Sequence, residues 1–167
     1  VTVTGTFADQ LTTPVLEDGK LTFVPCGETR DPKVLISGEG CFREHGGLKV
    51  LHGNLGDSVI KISAVAPEHQ HVKAPAKVFN DQYAVQDAYK KGELNCDCVI
   101  VVRYAGPAAV GMPELHKLMP VLCNLQKEGY HVALLTDGRL SGASGGIPSA
   151  LHVSPEAVRG GKIALLQ

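Results

Sequence analysis

The sequence predicts a mixed α/β domain, and three observations carry that prediction. Cys98-Val-Ile-Val-Val102 is an unbroken, mostly β-branched run of the kind buried in the middle of a sheet. Short strand-like segments dominate from Leu48 to Phe79, and a strand, helix, strand order follows. The 167 residues, 44% hydrophobic and 20% charged, amount to one domain that can bury a core without disulfides and is too apolar to be disordered.

Residues 1–44 are predicted to be an irregular arm or connector, because Gly5, Pro14, Gly19, Pro25, Gly27, Pro32, Gly38 and Gly40 interrupt every periodic segment. A domain over 45–167 follows. Leu48–Leu51 and Val59–Val65 read as two strands joined by a turn over Gly53–Asp57, and Ala76–Phe79 as a third. Asn80-Asp81 supplies a helix N-cap, Val85, Ala88 and Tyr89 recur at helical spacing, and Lys90-Lys91-Gly92 is a stop. After Cys98–Val102 comes a loop over Tyr104–Met112. A second helix is expected from Pro113, with Glu114 in its first turn and Leu115, Leu118, Met119, Leu122 and Leu125 as its apolar stripe. Pro120 should kink it, and Gly129 should end it. A strand over His131–Thr136, a loop over Asp137–Gly146, an apolar stretch Ile147–Val153, a capped turn at Ser154-Pro155-Glu156 and a last strand at Lys162–Leu166 complete the chain.

Composition excludes several functions. A formal net charge of −1 leaves no basic surplus for a phosphate backbone or an anionic membrane, so no nucleic-acid partner is expected. No apolar run approaches the roughly 20 residues that span a bilayer, and no membrane association is expected. The chain starts at Val1 without a basic and apolar leader, which fits a start inside a larger reading frame. The five cysteines are odd in number and irregularly spaced, which argues against a disulfide framework and for a reducing cytoplasm. Cys96-Asp-Cys98 lacks the spacing of zinc or cluster motifs and reads as small hydrophobes at a strand start; His69-Gln-His71 reads as a solvated turn.

Chemistry concentrates in two loops, each following a strand. In the first, Tyr104–Glu114, the carboxylate Glu114 either complements a helix dipole or is a ligand for a hard cation such as Mg²⁺. In the second, Thr136–Gly146, glycines and hydroxyls surround Arg139, so the segment is either a flexible turn or an anion-binding nest with a guanidinium fork. Gly142-Ala-Ser144-Gly-Gly146 matches G-x-S-x-G, but no acid lies between Ser144 and His152, and Glu156 follows the histidine, which is the wrong order for a nucleophile elbow.

Arg103-Tyr-Ala-Gly-Pro107, Gly111-Met-Pro-Glu-Leu-His-Lys-Leu118, Leu135-Thr-Asp-Gly-Arg-Leu-Ser-Gly142 and His152-Val-Ser-Pro-Glu-Ala157 together resemble the dihydroxyacid and phosphogluconate dehydratase family. Leu16–Leu21, Gly47–Gly56 and Ala74–Phe79 extend the likeness, and Glu-Leu-His-Lys-Leu with Ser-Gly-Ala-Ser-Gly resembles the phosphogluconate branch. The resemblance implies that this chain is the C-terminal domain alone, a swivelling β/β/α barrel-like fold. It implies dehydration of a sugar acid, a 2,3-dihydroxy acid, to its 2-keto-3-deoxy product, with an iron–sulfur cluster and Mg²⁺ as cofactors.

By motif, Ser141 is the base for the C2 proton, Glu114 is the one Mg²⁺ ligand from this half, and Arg139 and Ser144 are substrate contacts. The cluster ligands belong to an N-terminal domain, the chain's implied partner in a homodimeric full-length enzyme, so this part by itself is expected to be inactive. A serine hydroxyl is a poor base at neutral pH and needs a metal or cation beside it to act as alkoxide. Another sugar-acid or dihydroxyacid dehydratase of the family, or a non-catalytic phosphosugar-binding module, are the alternative readings.

Overall fold

A computed structural model describes residues 5–6, 8–36, 38–141 and 146–167. Two units result, Val1–Glu44 and His45–Gln167. In the first, Thr12–Glu17 (β1) and Lys20–Pro25 (β2) pair antiparallel, Glu17 opposite Lys20. The expectation of an irregular arm missed this hairpin. Asp18 and Gly19 both take positive φ, 50° and 77°. That is the geometry of a two-residue turn whose twist matches that of the strands, and Asp-Gly is its favoured sequence.

The second unit is built on a six-stranded sheet in the order β3-β4-β8-β7-β6-β5. Its strands are Leu48–Gly53 (β3), Gly56–Lys61 (β4), Ala76–Phe79 (β5), Cys98–Val102 (β6), Val132–Thr136 (β7) and Ser149–Ser154 (β8). β5, β6, β7 and β8 run parallel, and the β3–β4 hairpin is added antiparallel on β8. The hydrophobic run of β6 is explained by its place between β5 and β7, with both faces covered. Cys98, Ile100 and Val102 pack into one buried cluster with Val85 and Ala88 of helix α1 (Gln82–Lys90) and Leu118, Leu122 and Leu125 of helix α3 (Leu118–Lys127). Val99 and Val101, alternating onto the opposite face, meet Val153, Ala157 and Ile163.

α1 starts where the sequence places it. The Asp81 carboxylate accepts from the backbone N–H groups of Tyr83 (2.8 Å) and Ala84 (2.9 Å), satisfying two donors of the first turn. It stops at Gly92, φ 74°, where Glu93 N–H reaches the Ala88 carbonyl and Gly92 N–H that of Tyr89.

Three expectations fail. The second predicted helix does not begin at Pro113: Glu114 forms an isolated parallel bridge with Arg139, and Leu115 N–H donates to the Arg139 carbonyl at 3.2 Å, so this stretch stays extended and α3 begins at Leu118. Pro120 therefore sits in the first turn of α3, where its missing N–H has no intrahelical acceptor to lose, and no kink is required. The expected last strand is a 3-10 turn, Lys162–Leu165; the Ala164 carbonyl within it and the Leu166 carbonyl just after it receive the Arg103 guanidinium. A four-residue helix, α2 (Pro107–Val110), forms in the predicted loop. Among the described residues no helix is long and apolar enough to cross a membrane.

Candidate active site

The two loops singled out in the sequence leave the carboxyl ends of β6 and β7, which are neighbours in the sheet. A buried carboxylate fastens them. Asp137, directly after β7 and 1% exposed, accepts from Ala105 N–H at 3.0 Å through Oδ1 and from Ala157 N–H at 2.9 Å through Oδ2. One side chain thus binds the loop after β6 to the segment after β8. Beside it the buried Thr136 hydroxyl accepts from Gly138 N–H at 2.9 Å. Gly138 has no room for a side chain: a Cβ there would lie 2.8 Å from Ala105 Cβ and 3.0 Å from Leu115 Cδ1.

Glu114, Arg139 and Ser141 meet above this clamp. The Ser141 backbone N–H donates to Glu114 Oε1 at 2.6 Å, Arg139 Nη1 to Glu114 Oε2 at 3.1 Å, and Arg139 Nε to the Met112 carbonyl at 2.8 Å. The Glu114–Arg139 pair is half-exposed, so by itself it adds at most about 1 kcal/mol. Its value is positional: the bidentate use of the carboxylate fixes the order in which the two loops present their side chains. Because α3 begins at Leu118, Glu114 does not serve its dipole, and that reading of the residue falls. Ser144, expected as a substrate contact, lies outside the described residues.

A cavity of about 370 Å³ opens beside the Asp137 clamp, walled by Met112, Asp137, His152, Glu156 and Arg159 among others. Sequence reasoning gave no role to Asp137, His152 or Glu156. Glu156 accepts from Ala108 N–H at 3.1 Å and so caps α2 from another segment. Gly106, which opens α2, is glycine because a Cβ would collide with that carboxylate. The signal available for Asp137 was an acidic residue at the carboxyl end of an apolar strand, followed by glycine.

The donor set bears on metals. Glu114 offers a hard carboxylate suited to Mg²⁺, and both its oxygens keep a second lone pair beside the bonds they accept. Among the described residues no three His, Cys, Asp or Glu side chains converge on a metal position. For a cluster Cys98 fits poorly. Cys98 is fully buried, and burial, with Cys96 and Asp97 adding to it, pushes its thiol up to about 11, whereas a ligand must be thiolate.

Residues 33–167 match the C-terminal domain of dihydroxy-acid/6-phosphogluconate dehydratases. The chain belongs to this dehydratase family. A phosphogluconate dehydratase of Pseudomonas aeruginosa is 54% identical over 92% of the chain, and one of Escherichia coli K12 is 53% identical over 90%. A dihydroxy-acid dehydratase of Thermus thermophilus is 39% identical over 84%. The chain spans only 25–26% of the length of these curated relatives. The dehydratase-family motifs map onto the two loops joined by Glu114 and onto the segment from His152 to Ala157.

Proposed function

We propose that this chain is the C-terminal part of a 6-phosphogluconate dehydratase, a hydro-lyase that converts 6-phosphogluconate to 2-keto-3-deoxy-6-phosphogluconate in the Entner–Doudoroff route. The observation that carries the reading is the 2.6 Å bond from Ser141 N–H to Glu114, which sets the serine beside a hard carboxylate ligand at the carboxyl ends of β6 and β7. The names of the relatives favour phosphogluconate over other sugar acids.

In this reading Ser141 takes the C2 proton. The electron pair of the C2–H bond forms the C2–C3 double bond as the C3 hydroxyl departs, that group leaves as water after gaining a proton, and the enol relaxes to the ketone. Glu114 would hold Mg²⁺, which when bound supplies positive charge next to the substrate carboxylate. Arg139 keeps Glu114 in place, and its exposed guanidinium, with Ser144, contacts substrate. The iron–sulfur cluster and the remaining Mg²⁺ ligands belong to an N-terminal domain, with which residues 45–167 form a swivelling β/β/α barrel-like partner and 1–44 a connector. The full enzyme is a cytoplasmic homodimer, and this chain without its complement is inactive.

Joining the chain to the rest of the Pseudomonas aeruginosa relative tests this. The hybrid should form a 2-keto-3-deoxy acid from 6-phosphogluconate, and Ser141→Ala should lower turnover at least about a hundredfold, as loss of a positioned base does. Turnover of unphosphorylated dihydroxy acids alone would assign a different family activity. Near-normal turnover by Ser141→Ala would remove the serine from its role.

A further inference from the structure

The cavity beside the Asp137 clamp has an unusual wall. His152 lies inside β8, yet its φ is 57°, the left-handed region that a non-glycine residue occupies at a cost. The pairing explains why. Asp57 faces Ser154 and Val59 faces Leu151, so one residue of β4 stands opposite two of β8, and His152 with Val153 forms a bulge. A bulge bends its strand and re-aims a side chain that regular alternation would send elsewhere. Val153 still packs into the core, while His152, its N–H held by the Gly138 carbonyl at 3.0 Å, lines the cavity next to Asp137.

The ionisable side chains around the cavity divide into two kinds. The carboxylates are committed: Asp137 to the amides of Ala105 and Ala157, Glu156 to that of Ala108. The nitrogen donors are not. Among the described residues the His152 imidazole and the Arg159 guanidinium have no hydrogen-bond or ion-pair partner. His152 and Arg159 are exposed and leave their N–H donors open on this wall, where they can bind an oxyanion.

We infer that this cavity is an oxyanion subsite in which His152, presented by the β8 bulge, and Arg159 bind an anionic end of the substrate. That it receives the phosphate or the carboxylate of a sugar acid rests on the function proposed above; the geometry itself asks only for an oxyanion.

The test follows the His152 ring by NMR in the 167-residue chain, titrated separately with inorganic phosphate and with gluconate, and uses His152→Asn, since asparagine tolerates left-handed backbone. Saturable movement of the His152 resonances with phosphate and not gluconate supports the subsite and assigns it to the phosphate end; movement with gluconate alone supports it and assigns the carboxylate end. His152→Asn should weaken the binding about tenfold, the loss of one charge-assisted hydrogen bond. The wild-type ring reports without any variant. If neither anion moves it while the hybrid enzyme turns over 6-phosphogluconate, the subsite is overturned and the proposed function stands. If phosphate moves it and the hybrid dehydrates nothing, the subsite stands and the proposed function fails. Anion-induced shifts confined to other histidines, with His152→Asn binding unchanged, also overturn it.

Discussion

Asp137 shows how a single side chain organises the site. It is 1% exposed and among the described residues has no cationic partner; its two oxygens are instead matched to two backbone N–H groups from different segments. Amide donors of this kind stabilise a buried carboxylate, and here they act with the Glu156–Ala108 bond to hold the segment after β8 against the loop after β6. Asp137→Asn keeps the shape but turns one acceptor into a donor facing an N–H. It should cost about 1–3 kcal/mol and lower Tm by about 3–10 °C, read by calorimetry. An unchanged Tm would mean that the two amides do not depend on this side chain. At this scale the sequence was partly legible. Glu114, Arg139 and Ser141 were picked out from motifs and residue chemistry, and they do meet. Asp137, Glu156 and His152 were passed over because their work depends on amides and a bulge supplied by distant segments, which local patterning does not display.

The elements were legible where a hydrophobic period and a cap agreed. β5, β6 and β7, and α1 with its Asp81 cap, fall where the pattern puts them. Misreadings arose where long-range pairing overrode a local signal. Pro113 and Glu114 look like a helix start, yet the parallel bridge from Glu114 to Arg139 holds them extended and delays α3 to Leu118. The β1–β2 hairpin is a different miss: the Asp18-Gly19 turn signal was present, but the density of glycine and proline around it masked it. The revised start of α3 has a measurable consequence. A proline inside a helix costs about 3 kcal/mol or more, whereas at the third helical position it costs almost nothing, so removing it should gain almost nothing. Pro120→Ala is therefore expected to change stability by less than about 1 kcal/mol, the small change coming from added freedom in the unfolded chain. A gain of several kcal/mol in chemical denaturation would place Pro120 back in a helix interior.

For the whole molecule, the architecture puts its chemistry at one end of the sheet and its stability in the layers on either side. Every member of the two buried clusters lies between Val78 and Leu166, and α1 and α3 cover one face while the turns at Ala157–Arg159 and Lys162–Leu165 cover the other. A protein whose buried apolar surface is so distributed should draw its cooperative unfolding from His45–Gln167, because burial of that surface is the main favourable term in folding. Deleting residues 1–44 is accordingly expected to leave a single sharp thermal transition, with a midpoint within a few degrees of the parent chain. The same truncation retains Glu114, Asp137, Arg139, Ser141 and His152, so phosphate should still move the His152 resonances. A truncated chain that melts without cooperativity would show that the hairpin unit is needed for folding. A cooperative fold that no longer senses phosphate would locate part of the oxyanion site in the first 44 residues.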